Sequence, residues 1–157
     1  MTRQKPSLGL DKGIGIVLLL PILLPFVIVA VTAFLLQRGA VCFLVWTVWL
    51  ARGKDVLFVY SESPIWRDYM VQEVLPLMDD RAVILNWSAR KQWNKWSLAV
   101  RAFHSYAGDR SFNPMVILFR PFRPTRVFRF WDAFKDWKHG RTSAVEGLRN
   151  QILLELR

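Results

Sequence analysis

Residues 14–36, near the start of the chain, form an uninterrupted apolar segment, IGIVLLLPILLPFVIVAVTAFLL. The segment has 23 residues, no charged side chain and one hydroxyl, at Thr32. A helix needs about 20 apolar residues to cross the hydrocarbon core of a bilayer. A helix buried in a soluble protein rarely stays apolar on every side for that length. The segment therefore predicts a transmembrane helix, with the rest of the chain held at a membrane surface.

The apolar segment contains two prolines, Pro21 and Pro25, so more than one membrane structure is compatible with it. Each proline removes a backbone donor and can kink a helix. A kinked spanning helix is favoured over a re-entrant hairpin, since 23 residues leave little room for a turn inside the bilayer. A cleaved signal peptide is less favoured, because the segment exceeds the usual h-region and apolar sequence resumes after it. An uncleaved anchor is the expectation.

A second apolar stretch, AVCFLVWTVWL at residues 40–50, follows a polar break at residues 37–39. Eleven residues cannot span a bilayer as a helix, and its tryptophans suit the headgroup interface. We therefore predict an interfacial helix over 40–51 and a membrane anchor over 1–54. Basic residues on the two sides of the apolar segment balance, so the positive-inside rule gives no orientation. The basic domain and the single cysteine, Cys42, favour a cytoplasmic soluble domain.

Charge is unevenly distributed over the soluble part, residues 55–157. Residues 55–80 carry one arginine against six acids, a net charge of −5, and residues 81–141 carry thirteen lysines and arginines against three aspartates, a net charge of +10. A basic face beside a bilayer most simply meets anionic lipid headgroups. One cysteine and two histidines allow no disulfide and no Cys/His metal cluster, so no metal and no cofactor are expected.

Short apolar runs alternate with helical patterns from Asp55 onwards, which predicts a small basic α/β domain over 55–157. The expected strands are 56–60, 82–85, 115–119 and 125–130. The expected helices are 64–78, 90–106 and 143–156. The order is therefore βαβαββα, with a parallel core and a closing hairpin.

This element order resembles the thioredoxin fold. The strand that runs into a helix, VLFVYSESP at 56–64, is similar to the segment that carries the thioredoxin active-site loop. NPMVILF at 113–119 is similar to the family's cis-proline and the strand that follows it. Ser63-Pro64-Ile65-Trp66 stands where the family has Cys-x-x-Cys. Because thiol–disulfide exchange needs a thiolate, the resemblance implies a redox-inactive domain. The alternative fold is a flavodoxin-like or truncated Rossmann-type sheet.

The loop after the first predicted strand, with Ser61, Glu62 and Ser63, is a possible ligand loop. Open α/β sheets usually bind ligands at the carboxyl ends of their strands. The loop has no glycine, which excludes a phosphate cradle of the P-loop or dinucleotide type. A helix cap at Ser63 accounts for the same residues more simply.

Aromatic residues interleaved with basic ones give a stronger indication of a binding surface than the ligand loop does. They predict a surface that binds a protein partner or lipid headgroups. Single-stranded nucleic acid also binds such surfaces, but the chain has no RNP motif or zinc finger, so nucleic acid is an unlikely partner. The residues expected to form this surface are Trp93, Trp96, Arg120, Arg123, Arg126, Arg129, Trp131 and Trp137.

No nucleophile or triad is identifiable by spacing, so no catalytic residue is predicted. The chain is expected to be a non-enzymatic, membrane-anchored accessory or assembly subunit of a larger membrane protein complex. Its expected partners are anionic lipid headgroups and other subunits. The alternative is a membrane-surface enzyme acting on a lipid-linked or phosphorylated headgroup substrate, with Glu62 or Asp79 as general base and arginines binding phosphate.

Overall fold

The computed structural model of the chain describes residues 10–108 and 113–157, and it describes side chains from residue 21 onwards except that of Asp79. Its internal contacts divide the chain into two compact units, Met1–Arg38 and Gly39–Arg157. This boundary lies earlier than the predicted one after residue 54. The reason is that residues 40–51 do not form a separate interfacial helix and instead supply buried side chains to the second unit.

Helix α1, Leu10–Val48, contains the whole apolar segment. It runs through Pro21 and Pro25 without a turn, so the re-entrant hairpin is not formed. It also runs through the predicted break at residues 37–39. A glycine inside a helix costs about 1 kcal/mol relative to alanine. Burial of Val41 and Val45 just beyond Gly39 offsets that cost.

One helix of the described residues, over Pro21–Arg52, is long and apolar enough to cross a membrane. Its mean hydropathy is 2.1, and only 6% of its most apolar stretch is buried. A signal sequence near the N-terminus would meet the same criteria. Length and composition therefore make α1 a candidate membrane span.

The second unit is built on a four-stranded mixed sheet. Its strands are β1 Val56–Tyr60, β2 Ala82–Asn86, β3 Met115–Leu118 and β4 Arg126–Arg129. They lie in the order β2-β1-β3-β4. β1 and β2 are parallel, β3 is antiparallel to β1, and β4 is antiparallel to β3. The predicted parallel pair and closing hairpin are both present, whereas the alternative flavodoxin-like or Rossmann-type sheet would be parallel at β3.

Alternation along β1 places its side chains in two separate apolar clusters. Val56 and Phe58 face the first cluster, which contains Val116 and Leu118 of β3. Leu57 and Val59 face the second, which contains Met115 and Ile117. Since successive side chains of a strand point to opposite faces, both faces of this sheet are covered by helical layers. The Asn113–Pro114 peptide bond, just before β3, is cis.

The first face is covered by the segment after β1 and by the two closing helices. That segment begins as a short α-helix, α2 Arg67–Tyr69, and continues as a π-helical turn over Met70–Val74 and a 3-10 helix over Leu75–Arg81. This irregular segment replaces the predicted regular helix over 64–78, because Pro76 has no backbone N–H to donate to an α-helical hydrogen bond. Helices α4 Trp131–Lys138 and α5 Ser143–Leu156 complete the layer.

The second face is covered by the last turns of α1 and by α3, Leu98–Tyr106. The predicted helix over 90–106 therefore begins eight residues later than expected. A 3-10 helix, Trp87–Gln92, precedes it. Ser97 sets the start of α3, because its hydroxyl accepts the backbone N–H of Val100 at 3.3 Å.

Candidate functional site

The predicted ligand loop lies at the carboxyl end of β1 and is tied to the end of β2. The Glu62 carboxylate accepts a hydrogen bond from the Asn86 side-chain amide at 2.8 Å. The backbone N–H of Glu62 donates to the Ser88 hydroxyl at 3.0 Å. Because both bonds join the same two loops, Glu62 serves first to fix the spacing between β1 and β2 at this end of the sheet.

Ser61 and Ser63 flank Glu62 and are half-buried. Ser63 receives the first backbone bonds of the following helical segment through its carbonyl, which accepts the N–H groups of Trp66 and Arg67 at 3.2 and 3.0 Å. The predicted side-chain cap at Ser63 is therefore wrong, since the residue at the N-cap of α2 is Trp66 and no side chain caps this helix.

Trp66, the last residue of the Ser63-Pro64-Ile65-Trp66 segment, belongs to the core. Its side chain is 8% exposed and stacks on Phe134 with ring centroids 4.3 Å apart. The indole also lies 6.2 Å from the ring of Trp137. An apolar stack therefore occupies the space beside this loop.

A pocket of about 250 Å³ lies next to the end of β2, and we call it the basic aromatic pocket. Its lining residues are Trp87, Arg90, Lys91, Trp93, Lys95, Val100 and His104. Three lining side chains are lysine or arginine and none is acidic, so the pocket favours anionic groups.

The aromatic wall of this pocket is held rigidly. The Trp93 indole donates to the Asn86 carbonyl at 3.1 Å. Its ring meets those of Trp87 and Phe103 edge-on, with centroids 5.6 and 5.4 Å apart. The Arg90 guanidinium lies over the Trp87 ring, 4.9 Å from its centroid. A fixed wall with a cationic rim costs little ordering on binding.

Trp96 lies on the loop between the 3-10 helix and α3, and it is 84% exposed. Its backbone N–H donates to the Asn94 side chain at 2.9 Å, which holds the loop. Trp93 and Trp96 thus precede α3 and do not share a helix face with Val100 and Phe103, as the sequence pattern had suggested. Trp93 is a pocket wall, while Trp96 projects into solvent.

The predicted arginines lie in different surroundings. Arg120 forms an ion pair with Glu155, and Arg126 lies 3.8 Å from the same carboxylate. Val56, at the amino end of β1, pairs with Leu118 at the end of β3, and Leu118 pairs with Arg126 at the start of β4. Arg120, Arg123 and Arg126 therefore lie in or beside the β3–β4 loop, at the amino end of β1. The basic aromatic pocket lies at the opposite end of β1. The predicted contact residues therefore do not form one surface.

Arg129 has a structural contact. Its guanidinium donates to the carbonyls of Tyr106 and Ala107, at 2.9 and 3.2 Å. These are carbonyls at the end of α3, which a helix leaves without intrahelical partners. Arg129 thus caps α3 and links it to β4.

The last two predicted tryptophans lie on α4. Trp131 is 41% exposed, and the Lys135 ammonium lies 5.5 Å from its ring centroid. Trp137 is half-buried, stacked on Phe134 and 5.2 Å from Tyr69. Trp131 is accessible to a partner, whereas most of Trp137 stabilises the first apolar cluster.

Among the described side chains of this unit, Tyr69 and Arg81 have clearly shifted pKa values. Burial raises the pKa of Tyr69, and the nearby Arg149 guanidinium partly opposes the rise. The Tyr69 hydroxyl is buried and has no hydrogen-bond partner among the described residues. The hydrogen bond from Arg81 to Asp55 raises the pKa of that guanidinium, so Arg81 stays charged.

Sequence reasoning did not predict that these residues line one open pocket, or that His104 is part of it. Trp87 and Trp93, six residues apart around Arg90 and Lys91, were the available signal. Among the described side chains, those of residues 21–108 and 113–157 without Asp79, no three or more His, Cys, Asp or Glu gather to hold a metal ion. Comparisons with models of known protein families, with curated proteins and with solved structures found no match.

Proposed function

We propose that the chain is a non-enzymatic accessory or assembly subunit of a larger membrane protein complex, anchored by α1. Its second unit would present the basic aromatic pocket and Trp96 to another subunit. The observation that carries this proposal is the 84% exposure of Trp96 on a loop beside a rigid cationic pocket.

The residue types at this surface support a protein partner. Tryptophan and arginine are the side chains most enriched among residues that dominate binding energy at protein interfaces. Arg90, Lys91 and Lys95 are all exposed and positively charged, so an acidic partner surface is complementary. The partner is therefore proposed to place acidic side chains on the pocket rim and an apolar contact on Trp96.

A thioredoxin-like, redox-inactive character of the second unit is part of the same proposal. The parallel β1–β2 pair and the antiparallel β3–β4 hairpin support it, because the resemblance implies both of them. Ser63 and Trp66 stand in place of the two cysteines. Neither side chain supplies a thiolate, so a scaffold role fits better than disulfide exchange.

The alternative enzyme needs a general base, and the predicted candidates were Glu62 and Asp79. The side chain of Asp79 lies outside the described part of the structure. The hydrogen bonds of Glu62 with Asn86 and Ser88 account for its position without a substrate. Glu62→Gln keeps a hydrogen-bonding oxygen but removes the carboxylate. We expect this variant to support the full cellular phenotype, and a lost phenotype with normal protein levels would favour the enzyme.

The direct test is affinity purification of the full-length protein from its native membranes in mild detergent, followed by mass spectrometry. We expect stoichiometric membrane proteins with the parent chain and their loss with Trp96→Ala combined with Lys95→Ala. Leu154→Ala is the matched control, since it removes another exposed apolar side chain, 70% exposed on α5. A parent protein that purifies alone would overturn the proposal.

A further inference from the structure

The β3–β4 hairpin loop, residues 119–125, carries an unusual apolar side chain at its tip. Phe122 is 96% exposed, and its backbone φ is +57°. A bulky residue rarely adopts positive φ, because its Cβ crowds the backbone there. Transfer of an exposed phenylalanine ring from water to an apolar environment is favourable. Phe122 would therefore gain free energy by contact with an apolar environment outside the chain.

Contacts with the rest of the second unit fix the loop. Pro121 and Pro124 on either side of the tip restrict its backbone. The Thr125 hydroxyl lies 3.3 Å from the Tyr106 hydroxyl and 3.9 Å from the Cys42 sulfur. The Arg120–Glu155 ion pair holds the other side of the loop. The loop is therefore held at both of its ends, at Arg120 and Thr125.

Phe122 has one apolar neighbour of particular interest, Trp46. Their ring centroids are 5.9 Å apart. Trp46 lies on the last part of α1, ten residues along the chain after Leu36, the last residue of the apolar segment. On the same part of α1, Phe43 is 63% exposed. Phe122 and Phe43 are thus exposed aromatic side chains of the second unit, and the Trp46 ring lies beside that of Phe122.

Basic residues surround the same tip. Arg123 is exposed next to Phe122, and Arg120 and Arg126 lie in or beside the loop. Arg120, Arg123, Arg81 and Arg157 also line a groove of about 310 Å³, with Asp55 and Glu155 as its two acidic residues. Arginine forms bidentate bonds with phosphate, and apolar and aromatic side chains beside cations are typical of segments that lie in the bilayer interface.

We propose that the β3–β4 hairpin tip binds the surface of an anionic bilayer. The Phe122 ring enters the boundary between headgroups and acyl chains, and Arg123 contacts lipid phosphates. This inference rests on the anchoring of α1 that is part of the proposed function. It assigns the tip to lipid and leaves the basic aromatic pocket, at the other end of β1, to the protein partner.

The test places single nitroxide labels on the full-length protein, in a Cys42→Ala background, at Phe122→Cys, Trp96→Cys or Val29→Cys. Each protein is reconstituted into liposomes of phosphatidylcholine with phosphatidylglycerol. Collision with oxygen and with a water-soluble nickel complex then reports the depth of each label. Val29 lies in the apolar segment and tests the anchor, while Trp96 is the exposed control.

We expect the label at 122 to be protected from nickel severalfold relative to the label at 96, as is the label at 29. Arg123→Glu should remove this protection in vesicles with phosphatidylglycerol. A label at 122 as accessible to nickel as that at 96, with the label at 29 protected, would overturn the hairpin proposal alone. Nickel access at residue 29 would overturn the anchor, and with it both proposals.

Discussion

The carboxylate of Asp55 binds the guanidinium of Arg81 through two hydrogen bonds, Nε to Oδ1 at 2.9 Å and Nη2 to Oδ2 at 2.5 Å. A third bond from the same guanidinium reaches the Leu156 carbonyl at 3.0 Å. The Asp55 carbonyl in turn accepts the backbone N–H of Phe119 at 2.8 Å. The Asp55–Arg81 ion pair therefore joins the starts of β1 and β2 and the end of α5, and the Asp55 backbone adds a bond to the end of β3.

Asp55→Asn should destabilise the second unit, because Asp55 is buried and its replacement leaves Arg81 without a counter-charge. We expect a loss of about 1–3 kcal/mol in unfolding free energy, given that Arg81 is itself partly exposed. Asp68→Asn is the control, since the Arg67–Asp68 pair is exposed and should contribute at most about 0.5 kcal/mol. Denaturant unfolding of the purified protein measures both, and equal losses would contradict the assignment.

Trp66 and Trp96 should respond in opposite ways to truncation. Trp66→Ala removes a buried ring stacked on Phe134 and should cost about 3–5 kcal/mol. Trp96→Ala removes an exposed ring and should change stability by less than about 0.5 kcal/mol while reducing partner co-purification. Thermal unfolding in detergent separates them, and a destabilised Trp96→Ala protein would count against its role in binding.

Arg129→Ala should destabilise the packing of the end of α3 against β4, since it removes both hydrogen bonds to the Tyr106 and Ala107 carbonyls. The expected cost is about 1–3 kcal/mol, because the donor is charged. Arg126 begins the same strand but is exposed and lies 3.8 Å from its acidic partner, so Arg126→Ala should cost less than about 1 kcal/mol. Hydrogen exchange of α3 amides should rise only in the Arg129 variant, and unchanged exchange would refute the cap.

Tyr69 should make stability fall at high pH. Burial raises its pKa above the value of 10.0 that it has when unfolded. The folded state therefore keeps the phenol proton where the unfolded state releases it. Its contribution is fully present below pH 10 and is lost as pH rises from there through the folded pKa.

Tyr69→Phe should reduce that alkaline loss and leave stability at pH 7 unchanged or slightly higher, because the removed hydroxyl has no partner among the described residues. The ring contacts with Phe134 and Trp137 are retained. Unfolding free energies of both proteins between pH 7 and 11 provide the measurement. Parallel pH profiles would show that Tyr69 does not contribute.

The β-strands were largely predictable from the sequence, because each is a short apolar run bounded by polar or proline residues. β1 and α5 begin and end where their patterns predicted, and β2 extends one residue further, to Asn86. Helix α4 was not predicted. Its tryptophans and lysines suggested a contact surface, whereas Ala133 and Phe134 are buried on the first face of the sheet.

The candidate site was less predictable, because residues close in sequence on one strand lie at different ends and on different faces of the sheet. Arg126 and Arg129 are three residues apart, yet Arg126 lies near Glu155 and Arg129 caps α3. Successive residues of a strand are about 3.3 Å apart along it, so Arg126 and Arg129 lie at the two ends of β4. Composition alone identified the basic and aromatic residues and gave no information on this division.

The two edges of the sheet, β2 and β4, differ in a way that bears on self-association. Within the described residues, β4 begins and ends with exposed arginines, Arg126 and Arg129. A second copy pairing along this edge would bring like charges together, which disfavours sheet extension there. β2 carries an exposed Ile84 at its centre. Of the two edges of the sheet, the β2 edge is therefore the one at which an added strand would meet less electrostatic repulsion.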